Sequence, residues 1–209
     1  MKVESIIFDI DGTLWDSRAL VAEGYNLQLC DEGLEQYCVN AEQLKSLFGK
    51  TMSEIADAML ADIEVPERYA LMERCMERED VYLRENASEA IAYEGVKETL
   101  TELAKKYRLF IVSNSQQGYP EITMKKIGVE HLFTGHLCFG DTQTEKGETM
   151  KTLMEKYDIK DTVYIGDTQG DYEATVVAGV PFIWASYGFG VPDGYVQKID
   201  SFGELTEIF

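Results

Sequence analysis

The chain has 209 residues and a formal net charge of −19, with 38 Asp and Glu against 19 Lys and Arg. Surface this acidic argues against nucleic acid and anionic membranes as partners, because both need positive charge. It does not exclude an anionic substrate held in a locally positive or metal-bearing site. An apolar content of 45% suffices for a sizeable core, and no apolar run reaches membrane-spanning length. Cys30, Cys38, Cys75 and Cys138 are widely spaced and form no C-x-x-C, so reduced thiols are expected. The start, Met1-Lys2-Val3-Glu4-Ser5, carries no signal-peptide pattern, so a cytoplasmic location is expected.

Ile6-Ile7-Phe8 reads as a buried strand that ends in Asp9-Ile10-Asp11-Gly12-Thr13. Residues two apart on an extended strand point the same way, so Asp9 and Asp11 share a face. Gly12 then lets the backbone turn. Two carboxylates at the end of a buried strand repel each other, and a hard divalent cation such as Mg²⁺ relieves that cost. A carboxylate beside such an ion is a nucleophile toward phosphorus; the plainer reading is an acidic turn.

Residues 17–86 show no strand pattern. Ser17 is placed to cap a helix through Leu20, Val21, Tyr25 and Leu29. A second helix is expected over 41–48, stopping at Gly49, with Lys50 in the loop beyond. A third starts from Ser53. A fourth has Pro66 at its first position and runs to about Arg84, with a charged, solvated outer side.

From Gly95 helix and strand alternate. Strands are expected at 109–112, 137–139, 163–165 and 181–185, and helices at 96–107, 119–127, 146–157 and 172–178. Such alternation predicts βαβ units and a parallel sheet, with ligands at the carboxyl ends of the strands. Four groups then reach one rim: Asp9 with Asp11, Ser113 with Asn114, Lys146, and Asp167 with Asp171. Taken singly, each reads as a turn, a cap or a solvated charge. Together they can hold Mg²⁺, neutralise phosphoryl oxygens, attack phosphorus and pass a proton to a leaving group.

These motifs resemble those of the haloacid dehalogenase superfamily, in its Mg²⁺-dependent phosphatase branch. Asp9-Ile10-Asp11-Gly12-Thr13 matches the first motif, Ser113 the second and Lys146 the third. Gly166, Asp167 and Asp171 match the fourth. The segment Ala178-Gly179-Val180-Pro181 through Trp184, Tyr187, Gly188 and Gly190 is similar to the tail of the phosphoglycolate-phosphatase-like group. The resemblance implies an α/β fold: a Rossmann-like parallel sheet with helices on both faces, and a helical cap inserted after the first strand. The core would comprise residues 1–15 and 91–209 and the cap 16–90. It implies Asp9 as nucleophile, forming an aspartyl-phosphate, and Asp11 as general acid and then base. Mg²⁺ would lie on Asp9, the carbonyl of Asp11, and Asp167. Ser113, Asn114 and Lys146 would hold the phosphoryl group. Thr13 would support the first loop, and Asp171 the metal's water shell or Lys146. Arg18 and Lys50 are the cap cations placed to meet a second anionic group on the substrate. The expected partner is a small phosphorylated metabolite, phosphoglycolate being one candidate, with the protein a monomer or homodimer.

The chain departs from the family pattern at Gly147, where proline is frequent, and at Ala92-Tyr93-Glu94-Gly95, which lacks a proline. A β-phosphoglucomutase-like phosphotransferase is the first alternative. Those enzymes carry a histidine where this chain has Val21, and a lysine before the glycine of Phe48-Gly49-Lys50. A non-catalytic phosphoacceptor or phosphate-binding protein is the second. Receiver domains lack a helical insert and place their acceptor Asp on a middle strand, where this chain has Ser113. His131 and His136 are read as surface or packing residues.

Overall fold

The structure is a computed structural model that describes residues 3–209. β1 (Ser5–Phe8) is buried throughout. Its side chains alternate between two apolar clusters: Ile6 and Phe8 face one, Ile7 the other. A parallel strand covered by helices on both faces needs this continuous apolar run.

The chain then leaves the sheet for α1 (Arg18–Asp31), α2 (Ala41–Lys45), α3 (Met52–Met59) and α4 (Glu67–Asn86). α1 and α4 pack along one another. Gly24 permits their close approach, since a Cβ there would lie 2.8 Å from the Cα of Glu79. The chain enters and leaves this helical region side by side. Trp15 and Ala92 form an antiparallel bridge, the Asp16 N–H donates to the Ile91 carbonyl (2.9 Å), and the Tyr93 N–H donates to the Leu14 carbonyl (3.1 Å).

The remainder alternates. α5 (Val96–Leu103), β2 (Arg108–Ser113) and α6 (Tyr119–Ile127) are followed by β3 (Phe133–Cys138), α7 (Phe139–Thr142) and α8 (Lys146–Lys156). Then come β4 (Thr162–Gly166), α9 (Gln169–Ala178), β5 (Phe182–Ala185), β6 (Gln197–Ile199) and α10 (Leu205–Ile208). The six strands form one sheet in the order β3-β2-β1-β4-β5-β6, every pair parallel. The order reverses at β1, so a crevice opens at the carboxyl ends of β1, β2 and β4. No helix among the described residues is long and apolar enough to cross a membrane.

Several boundaries differ from the sequence expectation. Thr51, not Ser53, caps α3, through a reciprocal pair with Glu54 that satisfies two free backbone N–H groups. α2 stops at Lys45 rather than 48. Pro66 lies just before α4, whose helical residues begin at Glu67. α9 starts at Gln169, three residues before 172, because Thr168 and Asp171 form a capping box. β3 occupies 133–138, with Phe139 already in α7, because Asp141 caps back onto Cys138. β6, too short and polar for a periodic signal, was not expected. His131 is exposed, and half-buried His136 faces Glu121 at 3.2 Å.

Candidate active site

The ends of β1, β2 and β4 bring the four motif groups to one crevice. Asp9 follows β1 and is 3% exposed; its backbone N–H donates to the Ile165 carbonyl (2.8 Å), which fixes it against β4. Lys146 opens α8, buried, and its Nζ donates to Asp9 Oδ1 (2.8 Å) and to Asp171 Oδ1 (2.7 Å). Asp171 also accepts from the Tyr164 hydroxyl (3.2 Å), the Asp167 and Thr168 N–H groups (3.1 and 2.9 Å) and Thr168 Oγ1 (2.8 Å). Both of its oxygens are therefore committed. Burial raises its pKa, but Lys146 and the Thr168 hydrogen bonds together hold it below the ordinary value. These contacts make Asp171 an anchor for Lys146 and a cap for α9.

Asp167 differs. Its Oδ2 accepts from the Phe189 N–H (2.6 Å), while Oδ1 is buried without a partner. Burial, and then the charges of Asp171 and Asp9, push its pKa well up. Burial and the charge of Asp171 raise Asp9 to about 7, against the pull of Lys146. Oxygens of Asp9, Asp167 and Asp171 all lie within 4.8 Å of one another. Three buried carboxylates against one ammonium leave two negative charges, which is what a divalent cation cancels. The orphaned Oδ1 of Asp167 and the all-oxygen donor set fit a hard ion. The loop after β5 is pressed against them. A Cβ on Gly188 would collide with Asp167 and the Gly12 carbonyl, and one on Gly12 with the Asp167 carboxylate.

The side chain of Asp11 turns away from the acid cluster. Its Oδ1 accepts from Ser17 Oγ (2.6 Å), the Tyr119 hydroxyl (2.8 Å) and Trp15 Nε1 (2.9 Å). Burial lifts its pKa to about 6, with those three hydrogen bonds working in the opposite sense. Ser17, read as a helix cap, makes no cap bond and serves Asp11 instead. Two carboxylates two residues apart thus have different surroundings, one beside an ammonium and one beside hydroxyls.

A cavity of about 40 Å³ opens onto Asp9, Asp11, Ser113, Asn114 and Lys146. The Ser113 Oγ accepts from the Ser115 N–H (3.2 Å). Asn114 Nδ2 donates to the Gly49 carbonyl (2.7 Å) and ties the 48–50 loop to the end of β2, while its Oδ1 has no partner. That loop separates the cavity from a wider groove of about 580 Å³, which also reaches Lys146. Lys50 borders both. Arg18 does not border the cavity: it clasps Asp16 through Nε (2.9 Å) and Nη2 (2.8 Å) and lies 4.5 Å over the Phe189 ring. The Thr13 hydroxyl is buried without a partner, and it is its carbonyl that is held, by Tyr187 (2.9 Å).

Sequence reasoning gave Tyr119, Phe189 and Glu79 no part in the site, and took Ser17 only as a helix cap and Tyr187 only as part of the tail segment. Tyr119 and Ser17 meet Asp11 only through the tertiary fold. Glu79 had a signal. The buried residues of α4 are Leu71, Met72, Cys75, Glu79 and Leu83, so Glu79 falls in the apolar stripe, four residues from each neighbour.

The model of the family "Haloacid dehalogenase-like hydrolase" matches residues 6–185. The chain belongs to that family. A phosphoglycolate phosphatase of Xanthomonas campestris is 26% identical over 195 residues, covering 90% of this chain and 86% of that one. An N-acetylmuramic acid 6-phosphate phosphatase of Pseudomonas putida is 25% identical, covering 92% and 87%. A haloacid dehalogenase-like family hydrolase of Streptococcus pneumoniae shares the fold, with a TM-score of 0.83 at 16% identity over 99% and 98%.

Proposed function

We propose that this family member is a Mg²⁺-dependent phosphatase that hydrolyses a small phosphorylated metabolite through an aspartyl-phosphate on Asp9. The observation that carries the reading is the separation of roles between Asp9 and Asp11. Asp9 sits beside Lys146 and the unpartnered Asp167 Oδ1, where a phosphoryl group and an ion would meet. Asp11, with a pKa of about 6, is protonated often enough near neutrality to donate to the leaving oxygen. The same group, once ionised, takes a proton from the water that attacks the acyl phosphate. Ser113 and Lys146 supply a hydroxyl and a positive charge to the phosphoryl oxygens, with Asn114 beside them. Mg²⁺ would be held by Asp9, Asp167 and the Asp11 carbonyl, and would supply charge neutralisation at the phosphoryl group. Asp171 positions Lys146.

In this reading residues 16–90 are a cap over a core of 1–15 and 91–209, and the protein works in the cytoplasm as a monomer or homodimer. Relatives named for phosphoglycolate make that compound the first to try. A mutase is disfavoured because Val21, an apolar residue, borders the cavity where such enzymes have a histidine. The test is release of phosphate from a panel of phosphorylated metabolites with Mg²⁺ and with chelator. Magnesium-dependent release that disappears in Asp9→Asn is expected, a loss of at least about 1,000-fold. Full activity in Asp9→Asn would sink the reading.

A further inference from the structure

Among the carboxyl groups bordering the cavity, Glu79 has no part in the chemistry above. It lies on α4, is 2% exposed, and its Oε2 has no hydrogen-bond partner. A buried acceptor left without a donor costs roughly 1–3 kcal/mol. Among the described residues no cation pairs with it. Lys146 is committed to Asp9 and Asp171, Arg18 to Asp16, and on α4 itself Arg78 pairs with Asp31 and Arg84 with Asp80. Lys50 stands exposed at the cavity's rim. The neighbours of Glu79 are the Tyr25 hydroxyl and the Gln116 amide, with Asp80 and Asp11 near enough to act on it by charge. Gly24 brings the α4 backbone against α1 and so sets Glu79 in place.

The phosphoryl end of the cavity is fixed by Asp9 and Lys146, so the α4 side faces the alcohol part of the substrate. We infer that Glu79 selects the leaving group: its carboxyl accepts a hydrogen bond from a hydroxyl or ammonium group on the substrate's alcohol. This rests on the phosphatase reading. Phosphate esters of small polyols or amino alcohols are then preferred over esters that carry a carboxylate. A carboxylate on the substrate brings Glu79 no donor and lies near Asp11, with Arg18 already taken and Lys50 out at the rim. A site built around an unpaired buried acceptor discriminates strongly against a ligand that brings no donor.

The test compares kcat/KM for glycerol phosphate, O-phosphoethanolamine and phosphoglycolate, with p-nitrophenyl phosphate as a reference ester. Wild type is expected to favour glycerol phosphate or O-phosphoethanolamine over phosphoglycolate by about tenfold or more. Which of the two is faster tells hydroxyl from ammonium. In Glu79→Leu that preference falls by about tenfold, mainly through KM, and Glu79→Gln, which keeps an acceptor oxygen, restores part of it. The inference is overturned if phosphoglycolate is the best substrate of the wild type, or if Glu79→Leu lowers every ester in parallel. Magnesium-dependent turnover of p-nitrophenyl phosphate without the preference removes the inference and leaves the phosphatase. No turnover of any ester removes both.

Discussion

The floor and the wall of the cavity are built on opposite terms. The floor is the sheet edge, where Lys146 bridges Asp9 and Asp171, and where Asp171 has donors on both oxygens. The wall is helical, where Val21, Tyr25, Ile55 and Glu79 border the space and Glu79 keeps a free acceptor. The Asp9–Lys146–Asp171 bridge, held by its own contacts, keeps its geometry whatever the substrate, and the open oxygen of Asp167 is left for an ion. A wall with unmet hydrogen-bonding capacity is completed by what binds. On the proposed reading, the reaction type is set by the sheet and the choice of substrate by the helices.

The contrast is sharpest at Lys146. Lys146→Met should lower kcat by about 10²–10³-fold for every ester, because it removes charge from the phosphoryl end. An ester-dependent loss would mean that the floor also selects. Tyr119→Phe tests the link between floor and wall. Its hydroxyl donates to Asp11, which favours the ionised carboxylate. Removing it raises the pKa of Asp11 above about 6. Asp11 must be protonated to donate, so the alkaline fall in kcat should move to higher pH, with kcat down by about threefold to tenfold. An unmoved limb in the pH–rate profile would show that Asp11 is not the donor.

Gly24→Ala probes the wall alone. Alanine gains helix propensity of about 1 kcal/mol over glycine. A Cβ 2.8 Å from the Cα of Glu79 meets backbone that cannot turn aside, and overpacking of this kind costs about 1–3 kcal/mol. A net loss of stability in denaturant is expected, together with a shifted ester preference, while the Mg²⁺ requirement stays as it was.

The smallest effect concerns metal and pH together. Folding raises Asp9 to about 7 and Asp11 to about 6, and pushes Asp167 up as well, chiefly through burial. Such groups bind protons more tightly when folded, so metal-free stability falls as pH rises from the unfolded values through the folded ones. The metal-free protein should melt a few degrees lower at pH 8 than at pH 6, and added Mg²⁺ should stabilise it more at pH 8. Equal stabilisation at both pH values would argue that the ion does not sit on these acids.

The sheet was legible because its signals are local: an apolar run, then a carboxylate or hydroxyl, repeated with helices between. Asp9, Ser113, Lys146 and Asp167 could be placed at one rim from that repetition alone. The partners of Asp11 could not. Ser17 read as a helix cap and Tyr119 as an ordinary start of α6, because 102 residues separate two groups that touch. Arg18 and Lys50 looked alike as cap cations, yet Arg18 has Asp16 two residues away to clasp. Glu79 was hidden among the charges of α4, where only its register with Cys75 and Leu83 marks it as inward-facing.

Trp15 and Ala92 lie side by side, so the whole helical region departs from and returns to nearly one point. A segment whose ends already meet imposes little closure cost on the scaffold that carries it, however long it is. It can be exchanged for another of similar span without retraining the sheet. Grafting the 16–90 region of a relative with another specificity onto this floor should therefore transfer substrate preference in one cut, with the junctions placed at that single bridge.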